Sequence, residues 1–243
     1  MADAGLRQRL ALVEERIARA TAASGRSPAE VRLLLATKTV PVDRIRIVLE
    51  AGYTLIAENR VQELVEKAPD LADVPHESHF IGNLQRNKVN QVLKLVTCVQ
   101  SVDRIALARA ISDRVDPVEP MDVLIQVNTS GEESKFGVSP ETAVEFANEV
   151  ASLPGLAVKG FMTIGLFSTD ELPVRRCYEM LRGIRDEVVA DQSMADASEL
   201  SMGMSGDLEW AIEEGATIVR VGTAVFGERA TPDSYYWPDG STP

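Results

Sequence analysis

Apolar residues recur along this chain with two alternating periods. Leu6, Leu10, Val13 and Ile17 fall three and four apart, which predicts an amphipathic leading helix. Ser24-Gly25-Arg26-Ser27-Pro28 ends it. The next run, Leu33-Leu34-Leu35-Ala36-Thr37-Lys38-Thr39, is short and strand-like. A parallel sheet buries both faces of its strands, so this run reads as a core strand ending in a lysine. Pro41 then opens a helix through Ile45, Val48 and Leu49, and Gly52 stops it. Proline suits a first helical turn because its missing N–H would have no partner there.

The alternation continues. Strand-like runs cover 53–57, 79–82, 99–102, 121–127, 156–164, 199–204 and 217–221. Helical stretches separate them at 61–68, 89–96 and 105–115, after Ser139-Pro140-Glu141, through Cys177, Leu181 and Ile184, and at 208–214. Ser139 before Pro140 has the form of a cap residue followed by proline at the first helical position. Counted with the first run, this makes roughly eight strand–helix units of about 25–30 residues. The count predicts a single α/β barrel of the (β/α)8 type with an extra N-terminal helix, and not an open doubly wound sheet. A dinucleotide-binding sheet would also want G-x-G-x-x-G after its first strand, and that motif is absent. No linker divides the chain, so residues 1–243 are read as one domain. Only the stretch from Ala230 onward, with three prolines, lacks periodicity.

Composition narrows the partners. Lys+Arg 25 against Asp+Glu 37 gives a net charge of -12, which argues against nucleic acid or an anionic membrane surface. Hydrophobic residues at 45% and charged residues at 26% suit a chain with an ordinary buried core. Cys98 and Cys177 belong to no CxxC pair and suit reduced thiols. No apolar run approaches the roughly 20 residues that span a bilayer. Met1-Ala2-Asp3-Ala4-Gly5 has no basic region leading into an apolar one. A cytoplasmic location is the expectation.

In a barrel, chemistry gathers at the carboxyl ends of the strands. Lys38 would stand there, where partial desolvation disfavours the ammonium and leaves free amine to attack an aldehyde. The alternative is a lysine that reaches solvent past the strand. The loops after the last two strands commonly hold a phosphate on backbone amides. Gly203-Met204-Ser205-Gly206-Asp207 and Gly222-Thr223 each pair bare backbone with a hydroxyl. On the simpler reading Ser205 is a helix cap and Gly222 a tight turn. Arg220 interrupts an apolar final strand and needs a partner, either a core carboxylate such as Glu58 or an acceptor on a bound aromatic ring. His76 and His79 are three apart, on opposite faces of a strand, so no shared metal ion is expected. Residues 128–135 lack the spacing of a phosphate loop and read as a rim loop. Met162, Met202 and Met204 read as core packing. Arg86, Lys88 and Lys135 gather near the rim in this picture, as a second anion site or as solvated side chains.

Several blocks together resemble one family. They are Ala36-Thr37-Lys38-Thr39, Glu58-Asn59, His79-Phe80-Ile81-Gly82-Asn83-Leu84-Gln85-Arg86-Asn87-Lys88, Ser134-Lys135-Phe136-Gly137, Leu200-Ser201-Met202-Gly203-Met204-Ser205 and Arg220-Val221-Gly222-Thr223-Ala224-Val225-Phe226-Gly227. Their order and types resemble the pyridoxal phosphate homeostasis protein family, from about Leu33 to Glu228. The resemblance implies a barrel like the N-terminal domain of bacterial alanine racemase, with pyridoxal 5'-phosphate at its C-terminal mouth. It implies that Lys38 forms the Schiff base with that cofactor and that Arg220 faces the pyridine nitrogen. It implies that Ser205, Gly222 and Thr223 hold the phosphate, with Asn59 and Ser201 near the ring. Ala57 departs from the family, which more often has glycine there.

An arginine at the pyridine nitrogen keeps that nitrogen unprotonated and weakens the ring as an electron sink. Racemases so arranged add a tyrosine base from a partner subunit. Here Tyr53 begins a strand at the opposite rim, Tyr178 lies on an outer helix, and Tyr235 and Tyr236 fall in the tail. Only 16 residues follow Gly227, too few for the second domain of a racemase. The expectation is a monomeric, non-enzymatic carrier in intracellular vitamin B6 homeostasis, delivering the cofactor to pyridoxal-phosphate-dependent apoenzymes. A racemase-like amino-acid enzyme on the same site is the alternative, and a Schiff-base aldolase acting on a phosphorylated sugar is a third reading. No catalytic residue and no metal ligand is assigned.

Overall fold

The computed structural model describes residues 2–190 and 194–227. Its strands are β1 (Arg32–Ala36), β2 (Leu55–Glu58), β3 (Glu77–Phe80), β4 (Cys98–Val102), β5 (Met121–Gln126), β6 (Leu156–Met162), β7 (Glu199–Ser201) and β8 (Ile218–Val221). All are parallel, and they close in chain order into a barrel. Closure sets β1 beside β8, with Leu34 opposite Arg220 and Leu35 opposite Val221. The helices are α1 (Ala2–Ala23), α2 (Val42–Glu50), α3 (Val61–Leu71), α4 (Val89–Val92), α5 (Ile105–Ser112), α6 (Ala143–Ala151), α7 (Glu171–Ala190), α8 (Leu208–Glu213) and α9 (Thr223–Phe226). This is the (β/α)8 architecture with an added leading helix that the periodicity predicts.

Alternation along the strands feeds two apolar regions. Leu34, Leu55, Ala57 and Ile218 meet inside the barrel, as do Cys98, Leu124 and Met162. Their neighbours Leu35, Ile56, Phe80, Val99, Val123, Phe161, Leu200 and Val219 face the helices in a larger core. Burying one such side chain is worth about 1.5–3 kcal/mol, so the helical layer holds the wall in place.

The elements differ from the sequence pattern in instructive ways. β3 starts at Glu77, two residues before the predicted run, because the barrel floor is polar: Arg32 and His79 both bond the Glu77 carboxylate. His76 therefore precedes the strand instead of lying on its opposite face. The helix predicted over 89–96 shortens to α4, which follows a 3-10 turn at Arg86–Lys88. α3 runs past Pro69 to Leu71, beyond the 61–68 stretch that the pattern predicts. Proline leaves the carbonyl four residues back without a donor, and that residue, Val65, is exposed to water. Ser139 caps a 3-10 turn, Pro140–Thr142, and makes no side-chain capping bond. The aperiodic stretch from Ala230, with Tyr235 and Tyr236, lies outside the described residues.

Candidate functional site

β1 stops at Ala36, so Lys38 stands in the turn to α2 and not within the strand. The residues flanking it are pinned from the helical side of the wall. The Thr37 hydroxyl donates to Glu58 Oε1 (2.7 Å), and Lys67 Nζ donates to the Thr37 carbonyl (2.8 Å). Thr39 adopts φ 62, alone among the described non-glycine residues in having a positive value. Such a conformation costs about 1–3 kcal/mol and persists only where surroundings impose it. Here the Thr39 N–H donates to Glu63 Oε2 (2.6 Å), and Lys67 ties Glu63 (2.9 Å) to Glu58 (2.7 Å). Burial pushes the Glu58 carboxyl above its ordinary value, while Lys67 and Thr37 pull it back. Composition and periodicity gave no sign of this brace, which sets the direction of the Lys38 turn.

Glu58 thus faces Lys67 and is not the partner of Arg220. The guanidinium of Arg220 is buried, 6% exposed, inside the barrel. Its NH1 donates to Ser201 Oγ (3.0 Å) and its NH2 to the Thr163 carbonyl (2.8 Å). Among the described residues no carboxylate lies within ion-pair distance of it. Burial pulls its pKa down, against the attraction of Tyr178 and Asp207, yet an arginine stays protonated throughout the ordinary range. Ser201, fully buried, is thus a hydrogen-bond partner of Arg220.

The two hydroxyl-bearing loops also meet. Ser205 is not the cap of α8, a place taken by Asp207; its Oγ instead accepts from the Ala224 N–H (3.3 Å) at the start of α9. Gly203, at φ 86, makes the turn tight enough that a Cβ there would lie 2.4 Å from the Ala211 side chain. α1 braces both loops from outside. Arg16 donates to the Ser205 carbonyl (2.9 Å) and grips Glu209 with two bonds (2.6 and 2.7 Å), while Arg9 donates to the Val225 carbonyl (2.6 Å). Asn59, just past β2, has a buried Oδ1 with no hydrogen-bond partner among the described residues. Gly82 packs so closely behind it that a Cβ would fall 1.9 Å from the Asn59 carbonyl oxygen.

Lys38 opens onto a cavity of about 230 Å³ that it shares with Thr39, Arg44, Gly222, Thr223 and Phe226. A larger cavity of about 360 Å³ lies behind the wall among Glu58, Leu64, Lys67 and His76, and neither Lys38 nor Arg220 lines it. Volume alone would point away from the predicted residues; the convergence of amine, glycine and hydroxyl points to the smaller one. Tyr178, on α7, is buried and donates its hydroxyl to Asp207 Oδ2 (2.8 Å), and burial raises its pKa far above the ordinary phenol. Tyr53 lies by Glu14 and Arg32, at the amino end of the strands. Lys135 is engaged by the Gly165 carbonyl (2.9 Å) and the Glu132 carboxylate. Among the described residues no cluster of three or more His, Cys, Asp or Glu side chains could hold a metal ion, and no helix is long and apolar enough to cross a membrane.

The family model "alanine racemase, N-terminal domain" matches residues 13–230. The pyridoxal phosphate homeostasis protein of Aquifex aeolicus is 45% identical over 223 residues, covering 91% of this chain and 97% of that protein. The crystal structure of an unknown protein from Bifidobacterium adolescentis superposes with a TM-score of 0.86 at 40% identity, covering 93% of this chain and 96% of that one. PipY of Synechococcus elongatus, solved with pyridoxal phosphate bound, superposes with a TM-score of 0.76 at 29% identity, over 87% of this chain and 100% of that one. Across this breadth of match, the chain belongs to the pyridoxal phosphate homeostasis protein family, built on the alanine racemase N-terminal domain fold.

Proposed function

We propose that this chain binds pyridoxal 5'-phosphate at the carboxyl mouth of the barrel and serves intracellular vitamin B6 homeostasis by holding and delivering it. The observation that carries this reading is the shared cavity of Lys38, Gly222 and Thr223. It sits on a barrel whose interior holds a buried guanidinium without a carboxylate among the described residues. The donor set fits the group. Asn59 Oδ1 is an orphaned acceptor for a ligand hydroxyl, and the Arg220 fork has N–H groups beyond those given to Ser201 and Thr163. At Gly222 a Cβ would lie 3.3 Å from the Ala36 carbonyl, a tight contact that favours bare backbone on that wall.

The bound group supplies an aldehyde carbon, which condenses with a lysine amine and releases water. Lys38 is the amine, aimed by the pinned turn around it. Ser205, Gly222 and Thr223 receive the phosphate, with α1 steadying both loops. Arg220 keeps its proton opposite the ring nitrogen, and Ser201 orients Arg220. Tyr178, whose hydroxyl is committed to Asp207, is a poor base, which supports a carrier over a racemase. On this reading the chain is one cytoplasmic domain of 243 residues, acting as a monomer that hands its cargo to pyridoxal-phosphate-dependent apoenzymes.

Borohydride reduction of protein loaded with pyridoxal phosphate, followed by peptide mass spectrometry, tests this. A single pyridoxyl-phosphate adduct on Lys38, lost in Lys38→Ala, is expected. An adduct confined to other lysines, or amino-acid turnover well above that of the free cofactor, contradicts it.

A further inference from the structure

The barrel interior contains an unbroken line of hydrogen bonds from its mouth to its floor. Arg220 NH1 donates to Ser201 Oγ (3.0 Å), and the Ser201 hydroxyl donates to Gln100 Oε1 (2.6 Å). Gln100 Nε2 meets His79 Nδ1 (2.7 Å), and His79 Nε2 meets Glu77 Oε1 (2.8 Å). Gln100, His79 and Ser201 are buried. The proton inventory permits one consistent direction for a neutral imidazole. Ser201 takes a proton from arginine and so gives its own to the Gln100 oxygen, which turns the amide nitrogen toward His79. His79 must then accept at Nδ1 and carry its proton at Nε2, where the carboxylate of Glu77 receives it. Every donor points from the cation toward the anion, so each bond polarises the next.

We propose that Gln100 and His79 are positioning residues for the cofactor site: they fix the Ser201 hydroxyl and, through it, the plane of the Arg220 fork. The proposal rests on the functional reading above only for the identity of the ligand that this fork meets. Without Gln100, the Ser201 hydroxyl has no acceptor in this line and the fork loses its fixed partner. Protonation of His79 at Nδ1 would set two donors against each other and force the amide of Gln100 to turn over. The groups facing His79 are Glu77 on its own strand, Gln100 and Cys98 on β4, and Asp122 on β5. Arg32, Lys159 and Glu199 complete the charged floor.

Two histidines in the whole chain make the test direct. Histidine-selective 15N NMR of the ligand-free protein at neutral pH should show His79 protonated at Nε2 and bare at Nδ1. In Gln100→Glu, where the side chain accepts but cannot donate, a proton should appear at His79 Nδ1. Gln100→Leu should weaken pyridoxal phosphate retention roughly tenfold, the scale of one lost hydrogen bond, and Gln100→Glu should recover most of that loss. Should Gln100→Leu not fold, the Gln100→Glu spectrum and retention carry the test. An Nδ1–H tautomer in the wild type, or equal retention by folded Gln100→Leu, overturns the proposal. A wild type with the expected tautomer but no affinity for pyridoxal phosphate overturns the functional reading and leaves the hydrogen-bond line standing.

Discussion

A guanidinium surrounded by neutral oxygens gains less than one facing a carboxylate, so its burial implies a use for the charge. Arg220 is in that position, spending two donors on Ser201 and Thr163. Lysine could not replace it, since a single ammonium cannot offer a planar fork to several acceptors. A charge-assisted hydrogen bond is worth about 1.5–3 kcal/mol, so Arg220→Gln should weaken pyridoxal phosphate retention roughly 10- to 100-fold. Equilibrium dialysis of the folded variant measures this, and unaltered retention would remove Arg220 from the site. Arg220→Lys should fall between the two, keeping charge and losing the fork.

Among the elements, α1 is the addition to the barrel that matters most. Its apolar stripe packs it in place, and Arg9 and Arg16 reach over to the loops after β8 and β7. Arg16→Ala removes a bidentate pair with Glu209 and the bond to the Ser205 carbonyl. Partial exposure of both charged groups limits the cost to about 1 kcal/mol, or roughly 2–4 °C in Tm for a chain of this size. Thermal unfolding measures that shift, and retention of pyridoxal phosphate should fall with it. The stripe of Leu6, Leu10, Val13 and Ile17 was legible in the sequence because periodicity records which face is buried. The reach of Arg16 was not, because its target lies 189 residues away in the chain. Likewise Lys38, Ser205 and Gly222 stood out as polar or bare residues following apolar runs. Gln100 did not, and His79 stood out only as a rejected metal ligand and within a family block, since alternating polarity in a strand looks the same whether it meets water or a polar barrel interior.

At the scale of the whole molecule, the charged floor governs the acid limb of stability. The hydrogen bond from His79, with Arg32 adding to it, lowers the Glu77 carboxyl from 4.5 to about 2. A folded value below the unfolded one stabilises fully above pH 4.5 and is lost as pH falls toward about 2. Solvent reaches much of this carboxylate, so screening leaves about 1–2 kcal/mol of the effect. The Tm advantage of wild type over Glu77→Gln should therefore be largest at neutral pH and shrink as the pH is lowered toward the folded value. A constant difference across that range would deny Glu77 its role. Glu58, raised by burial, acts with the opposite sign but is common to both proteins. The pairing of β1 with β8 has a consequence of another kind. Lys38 is synthesised before β8 and the Gly222-Thr223 backbone that lines the same cavity. On the function proposed above, a nascent chain presents the Lys38 amine with no opposite wall, and loading waits until the eighth strand docks.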